Sequence, residues 1–264
     1  MAQTSARVRR NRTILISVLL VVAAAVALVA GLVAGGWGPF ATASGSGAEP
    51  TPTEEPRPAP SAAAPPASVD TFDRAKFSID DANSIWVVVN KLRPLNPPDH
   101  VPPDLVFVDV PFTFEPELRQ EAAAAVVTMF GAATTEAGLS LASNSAYRSF
   151  AAQENVYVGD DLSTARPGYS EHQTGLSIDI GAESGECSIE QCFGDLPEGV
   201  WLRDNAWRFG FVMRYPPDKT PVTGYEWEPW HFRYVGVELA TEMHDTGVAT
   251  LEEFFGLPPA PNYE

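Results

Sequence analysis

The chain has 264 residues, enough for one or two domains, and carries 34 acidic residues against 17 lysines and arginines, for a net charge of −17. All the acidic residues follow position 43, so a basic nucleic-acid-binding surface is excluded in the part of the chain beyond it. We expect that part to repel anionic polymers, so an anionic ligand would have to be recognised by local contacts rather than by bulk charge.

The N-terminal segment has the composition of a membrane anchor. Residues 14–34 contain no charged side chain, and about 20 consecutive apolar residues span a bilayer as a helix. Arginines precede this run at positions 7, 9, 10 and 12, which predicts a cytoplasmic N-terminus and an exported remainder. We predict a cytoplasmic segment over 1–13 and a transmembrane anchor over 14–35, since the apolar run of a cleaved signal is about 7–15 residues. Residues 41–43, Ala-Thr-Ala, resemble a cleavage site, and cleavage would instead give a secreted protein.

Residues 36–70 have the composition of a linker. The stretch from residue 44 is dominated by Pro, Ala, Ser and Glu and has no apolar period, so it cannot form a core. Its prolines keep such a chain semi-extended. We predict that this linker holds a folded domain, residues 71–264, away from the membrane surface, and a domain of that length buries a substantial core.

The predicted elements of the folded domain follow one another in a mixed order. They are a strand over 85–89, a proline-rich loop over 94–103, a helix over 116–138 ended by Gly138, a strand over 139–149, a short helix over 150–157, a polar loop over 160–175, a strand over 176–182, an amphipathic helix from 198 stopped by Gly210, strands over 211–216 and 226–235, and a closing helix over 236–247. Because strands and helices do not strictly alternate, the sequence predicts an α+β fold.

Two cysteines lie five positions apart, Cys187 and Cys192. In an exported protein, a disulfide that closes this short loop is the default expectation. The alternative, a pair of metal ligands, lacks a second set of Cys or His nearby.

Two of the four histidines, His172 and His231, stand out because acids and glycines surround them. Asp179 lies in the middle of a short apolar strand, so it must face solvent, a partner or a cation. The seven-residue interval from His172 would place the two on opposite faces of a straight strand, but Gly175 offers a turn that folds His172 back over Asp179. The pair is compatible with two ligands of one metal, and equally with a loop histidine and a surface acid.

Glu228 and His231 are separated by three positions with Pro229 between them. Proline cannot donate to a central strand ladder, so we expect the strand to begin at or after it, with His231 at its start and Glu228 on the preceding bend. Zinc hydrolases use three protein ligands and a separate carboxylate that takes the proton of a water molecule. His172, Asp179 and His231 would make such a ligand set, with Glu228 as the base.

Arg148 lies at the end of a predicted strand, and Gln153 lies about one helical turn further along. An arginine at a strand end can simply be solvated. In a zinc peptidase it would hold an anionic carboxylate or a developing oxyanion.

Three motifs, "SAYRS", "PGYSEHQTGLSIDI" and "EPWHFRYVG", together resemble the zinc D-alanyl-D-alanine carboxypeptidases of the VanY type. "VVNKLRPLNP" and "VPPDLV" resemble the N-terminal part of that group, so the resemblance covers residues 82–240. Ala146 stands where glycine is common in the family, and "SIDI" stands where an Ala-Val-Asp pattern is common. The "GECSIEQC" loop lies outside the shared pattern.

The resemblance implies a small α+β domain with a central antiparallel sheet flanked by helices, and one zinc ion per domain. It implies the following site residues: His172, Asp179 and His231 as zinc ligands, Glu228 as general base, Arg148 as the clamp for substrate and transition state, and Gln153 and Ser170 near the substrate. The implied reaction is removal of the terminal D-alanine from peptidoglycan stem peptides ending in D-Ala-D-Ala, by a domain outside the cytoplasmic membrane. No nucleic-acid partner and no obligate protein partner are expected.

Two other functions share part of this pattern. A D,D-dipeptidase or an L,D-endopeptidase that acts on the wall would use the same kind of metal site and the same metal-dependent mechanism. A non-catalytic wall-binding module could keep the shape of the site, but loss of the base would be its signature, and Glu228 is present.

Overall fold

Two antiparallel sheets and six α-helices make up residues 71–264, the part of the chain that this computed structural model describes. The strands are β1 (Leu105–Phe107), β2 (Glu117–Arg119), β3 (Leu141–Ser145), β4 (Ser177–Ala182), β5 (Phe211–Met213) and β6 (His231–Tyr234). The α-helices are α1 (Gln120–Ala137), α2 (Phe150–Val156), α3 (Pro197–Asn205), α4 (Thr220–Thr223), α5 (Val237–Thr246) and α6 (Leu251–Phe255). Short 3-10 turns lie at Glu171–Thr174, Gln191–Asp195 and Ala206–Phe209. This arrangement confirms the predicted α+β class.

The central sheet has four strands in the order β3-β4-β6-β5, and every neighbouring pair is antiparallel, as the resemblance implied. Its register places Ser145 beside Asp179, and Asp179 beside His231. Directly paired residues on neighbouring strands have Cβ atoms about 4.5–5.5 Å apart. One row of side chains across three strands therefore carries two of the predicted metal ligands.

The other face of β4 packs into the core. Leu176, Ile178 and Ile180 are fully buried, as the alternating pattern predicted. They belong to the same apolar cluster as four small or flexible side chains on one face of α1: Ala122, Val126, Met129 and Ala133. Burial of each large aliphatic side chain stabilises the fold by about 1.5–3 kcal/mol, so this contact fixes the strand that carries Asp179.

The long helix begins later than predicted. Residues 117–119, which the sequence places in its first turn, form β2 and pair with β1. The backbone N–H of Tyr147 also donates to the carbonyl of Glu117. Hydrogen bonding to β1 and to the backbone of Tyr147 overrides local helix propensity there. The helix ends at Gly138 as predicted, because that residue adopts a left-handed conformation with φ 68°.

The predicted strand over 85–89 is wrong. This segment is buried but pairs with no strand. The carbonyl oxygens of Ile85 and Val87 instead accept hydrogen bonds from the guanidinium of Arg233, at 3.1 and 2.8 Å. Buried backbone groups require a partner, and here an arginine side chain takes the place of a neighbouring strand.

The other predicted helices and strands lie where the sequence predicts them, with shorter bounds, whereas β1 and the short helix α4 lie in segments for which no element was predicted. The last strand begins at His231, directly after the bend that Pro229 imposes, which confirms the predicted entry into β6. Helix α6 lies beyond the last predicted element and was missed. The predicted segments 1–13, 14–35 and 36–70 lie outside the described residues. Within residues 71–264, no helix is both long enough and apolar enough to cross a membrane.

Candidate metal centre and active-site cavity

A cavity of about 310 Å³ opens at one end of the central sheet. Its lining includes six of the residues that the sequence analysis singled out: Arg148, Ser170, His172, Asp179, Glu228 and His231. Gln153 is not part of the lining. The fold thus gathers residues from four separate stretches of the chain around one space.

The three predicted metal ligands form one compact group. Nε2 of His172 lies 3.2 Å from Oδ2 of Asp179, and Nδ1 of His231 lies 3.0 Å from Oδ1 of the same carboxylate. The ligand atoms of the three residues all lie within 4.8 Å of one another, and all three side chains are buried. This spacing suits a single ion held between them.

Gly175 makes the position of His172 possible. It adopts a left-handed conformation with φ 65°, and a Cβ there would lie 2.7 Å from the side chain of Leu105. The turn folds the 3-10 segment Glu171–Thr174 back over β4, as the sequence predicts. Nδ1 of His172 lies 2.7 Å from the carbonyl oxygen of Ala146, to which it donates, so Nε2 is left to face Asp179.

Contacts at both ring nitrogens orient the side chain of His231. Its Nδ1 faces Asp179 and lies 3.8 Å from Oε2 of Glu228, while its Nε2 lies 3.4 Å from Oε2 of Glu171. The ring therefore presents Nδ1 to the ligand group and Nε2–H to Glu171. Tyr215 packs against the same ring, with centroids 4.9 Å apart.

Glu171 is a site residue that the sequence analysis missed. Its Oε1 accepts from Nε of Arg214 and from Nη1 of Arg233, each at 2.9 Å, and Arg214 also pairs with Glu252. Burial alone would raise the pKa of Glu171, but the two guanidinium groups hold it well below its usual range. The signal in the sequence was an acid directly before His172, but its two partners lie more than 40 positions away.

Asp179 and Glu228 have opposite electrostatic environments. Burial alone would raise the pKa of Asp179, but His172 and His231 hold it well below its usual range. Burial raises the pKa of Glu228 to about 8, and the nearby imidazole of His231 only partly offsets this. Carboxyl groups whose pKa values are pushed apart can take different roles, one remaining ionised and the other exchanging a proton.

The two histidines also differ. Burial lowers the pKa of His172, which favours the neutral imidazole that binds metals. Burial would also lower the pKa of His231, but hydrogen bonds to Asp179 and Glu171 raise it to about 9.

Arg148 lines the cavity, and two neighbouring side chains accept hydrogen bonds from its guanidinium group. Nη1 donates to Oε1 of Gln153 at 2.9 Å and Nη2 donates to Oγ of Ser145 at 3.1 Å. Gln153 is fully buried, and its own Nε2 donates to the carbonyl of Ala165. The structure thus places Gln153 against the arginine, outside the cavity lining, and Ser170 within the lining. Substrate contact by either residue stays a prediction.

The two cysteines form a disulfide, and the loop that they close borders the cavity through Ile189. The sequence analysis expected the disulfide but did not place this loop at the site.

A buried set of two histidines and one carboxylate, with a separate glutamate in the same cavity, is typical of metal-dependent hydrolases. The model of the VanY family, D-alanyl-D-alanine carboxypeptidase, matches residues 115–237. YodJ of Bacillus subtilis (strain 168) is 41% identical over 192 residues, which cover 67% of this chain and 69% of YodJ. The chain belongs to the VanY family of D-alanyl-D-alanine carboxypeptidases and is a peptidase, as the three motifs predicted.

Two solved structures are similar over most of their own length. The LD-carboxypeptidase LdcB has a TM-score of 0.62 and 42% identity, over 66% of this chain and 87% of LdcB. A variant of the D,D-pentapeptidase VanY from the VanB-type vancomycin resistance cassette, in complex with Zn(II), has a TM-score of 0.53 and 31% identity, over 64% of this chain and 97% of that one.

Proposed function

We propose that this chain is a zinc-dependent D,D-carboxypeptidase that removes the terminal D-alanine from peptidoglycan stem peptides ending in D-Ala-D-Ala. The observation that carries the proposal is the meeting of His172, Asp179 and His231 with Glu228 in one cavity. Membership of the VanY family supports it.

The residues fit a zinc ion. Catalytic zinc takes three protein ligands from histidine and carboxylate groups and keeps a fourth position open, and the ligand group offers two imidazole nitrogens and one carboxylate. The far nitrogens of both rings are hydrogen-bonded, to the carbonyl of Ala146 and to Glu171, as is typical of metal-binding histidines. When bound, a zinc ion supplies a Lewis acid and lowers the pKa of a water molecule to about 7.

Glu228 moves the protons of the reaction. A bound cation nearby lowers the pKa of a carboxyl group, which favours the ionised form that accepts a proton from the attacking water. The protonated Glu228 then delivers that proton to the amine of the departing D-alanine. With no metal bound, burial raises the pKa of Glu228 to about 8, and a bound cation would bring it down toward the range in which the group accepts and returns a proton near neutral pH.

Arg148 binds the anionic end of the substrate and the developing oxyanion. A guanidinium group holds a carboxylate through paired, charge-assisted hydrogen bonds. Gln153 and Ser145 fix its two terminal nitrogens, so the group needs little reorganisation when substrate binds. In this proposal Gln153 acts through Arg148, and Ser170 lines the path of the peptide.

An L,D-carboxypeptidase is the second candidate. LdcB is more similar to this chain, at 42% identity, than the D,D-pentapeptidase VanY, at 31%. Such an enzyme would use the same ligands and the same base but would release D-alanine from an L-residue.

Product analysis separates the candidates. The purified chain with zinc is incubated with a synthetic pentapeptide ending in D-Ala-D-Ala and with the tetrapeptide that lacks the last residue. We expect mass spectrometry to show loss of one D-alanine from the pentapeptide and no loss from the tetrapeptide. Cleavage of the tetrapeptide alone would replace the proposal with the L,D activity, and release of a dipeptide would indicate a D,D-dipeptidase.

We also propose that residues 14–35 anchor the enzyme in the membrane, with residues 36–70 as the spacer and residues 71–264 outside. The uncharged run and the arginines before it support this topology. After alkaline extraction of cells, we expect the protein to remain in the membrane fraction with its N-terminus intact. A mature protein that begins shortly after residue 43 would instead indicate a cleaved signal.

A further inference from the structure

The disulfide loop between Cys187 and Cys192 has an unusual backbone where it meets the cavity. Ile189 lines the cavity, is 44% exposed and has φ 55°, and Cys187 has φ 52°. A β-branched residue in the left-handed region is strained and persists only where the surrounding structure holds it. The disulfide that closes the loop constrains this backbone and so holds Ile189 at the cavity wall.

The same loop is hydrogen-bonded to the segment that carries Glu226. Nε2 of Gln191 donates to the carbonyl of Trp227 at 3.3 Å and lies 3.4 Å from Oε2 of Glu226. Behind the loop, a Cβ at Gly194 would lie 2.4 Å from the ring of Trp227, so loop and ring are in close contact. Ile189 and Glu226 are therefore held as two parts of one wall.

Glu226 differs from the other acids of the cavity. Asp179 contacts two histidines, and Glu171 contacts two arginines. Among residues 71–264, no lysine, arginine or histidine forms an ion pair with Glu226, which is exposed at the cavity mouth. The cavity thus presents one carboxylate that is available to a cationic ligand.

Glu226 lies two positions before Glu228 in the chain, and both residues line the same cavity as Arg148. With the C-terminal carboxylate of a substrate on Arg148 and the scissile bond beside Glu228, the upstream part of the peptide would contact the rest of the cavity lining, which includes Ile189 and Glu226.

We propose that Ile189 and Glu226, held together by Gln191, form a subsite for a lysine-like side chain on the substrate, upstream of the D-alanine that is released. The aliphatic stem would pack on Ile189 while the terminal ammonium pairs with Glu226, which matches the amphipathic character of such a side chain. This subsite rests on the proposed function and deepens it. The preferred substrates are peptides whose side-chain amine is free, rather than amide-linked.

The test uses two peptides that differ only in one charge, L-Lys-D-Ala-D-Ala and its Nε-acetyl-lysine counterpart, with the zinc-loaded chain. We expect kcat/KM to favour the free amine by about fivefold at low salt, the upper range for a partly solvated ion pair, and the preference to shrink as salt rises. Glu226→Gln should remove the preference by slowing only the free-amine peptide. Glu186→Gln, which removes an exposed acid outside the cavity lining, is the matched control and should keep the preference.

Unchanged turnover of the acetylated peptide also shows that the Glu226→Gln variant is folded. Equal turnover of both peptides by the unmodified chain, or a preference that survives in Glu226→Gln, overturns the subsite. Equal slowing of both peptides also overturns it, because Glu226 would then serve the reaction rather than the amine. If the unmodified chain releases D-alanine from neither peptide, the proposed function fails, and the subsite fails with it.

Discussion

Asp179 and Glu228 are equally buried, each 6% exposed, yet their surroundings suit them to different work. Asp179 lies between two imidazole rings, which keep it ionised and available as a ligand. Glu228 has no arginine or lysine within ion-pair distance in the described part of the chain, so burial controls its pKa. The neighbouring charged groups, rather than the extent of burial, therefore determine which carboxylate serves as the ligand and which as the base.

Glu228→Gln tests the role of the base. We expect the variant to bind zinc with the stoichiometry of the unmodified chain and to lose about 10²- to 10⁴-fold in kcat, the usual contribution of a general base. Metal analysis and D-alanine release are measured on the same preparation, with Glu186→Gln as the control for loss of one negative charge. Full activity in Glu228→Gln would contradict its assignment.

Glu171→Gln tests the orientation of the His231 ring. Its carboxylate accepts from Nε2 of this ring, and loss of such a contact typically weakens metal binding about 10- to 100-fold. Competition with a chromogenic chelator gives the affinity directly. Glu186→Gln is the control for loss of one negative charge, because Glu186 is exposed and lies outside the cavity lining. Equal affinities in the unmodified chain and Glu171→Gln would show that the ring needs no such support.

Among the elements, those specified by local signals were predicted from the sequence. The turn at Gly175 and the start of β6 after Pro229 follow from backbone rules, and they place His172 and His231 correctly. The segment over 85–89 was read as a strand because it is apolar, but its partner is Arg233, almost 150 positions away. A single sequence does not indicate such a partner.

Helix α6 is tied to the central sheet by a buried ion pair. Glu252 accepts from Arg214 at 2.7 and 2.9 Å and from Asn90 at 2.9 Å, and the carboxylate is fully buried. The neighbouring Glu253 is exposed and pairs with Lys219 at the surface.

This contrast gives a matched pair of substitutions. We expect Glu252→Gln to lower the free energy of unfolding by about 3–5 kcal/mol, because Arg214 would keep less of its buried counter-charge. Glu253→Gln should cost less than about 1 kcal/mol, as is usual for a surface pair. Urea unfolding of both variants measures the difference. Similar values for the two would mean that the buried pair does not hold the helix.

At the scale of the whole domain, metal binding should add to stability, because the ligands come from distant parts of the chain and meet only in the folded state. A metal at 1,000 times its Kd stabilises the folded form by about 4 kcal/mol, which for a domain of this size raises Tm by about 10 °C. Calorimetry with zinc and with a chelator should show this difference, and His231→Ala should abolish it. A Tm that is insensitive to zinc would argue against the site.

The whole chain is strongly acidic, yet its proposed substrate ends in a carboxylate. Long-range attraction does not favour that encounter, so binding depends on the local charges of Arg148 and the metal centre. Attachment through the N-terminal segment would raise the concentration of the enzyme near the wall instead.

The central claim is that the ligand group and Glu228 together release D-alanine with the help of zinc. The most direct test follows D-alanine release from a pentapeptide ending in D-Ala-D-Ala, first with the zinc-loaded chain, then after chelation, and then after zinc is restored. We predict release of a single D-alanine, its loss on chelation, and its recovery with zinc. Release that continues unchanged in the presence of the chelator, or no release from the zinc-loaded chain, would contradict the claim.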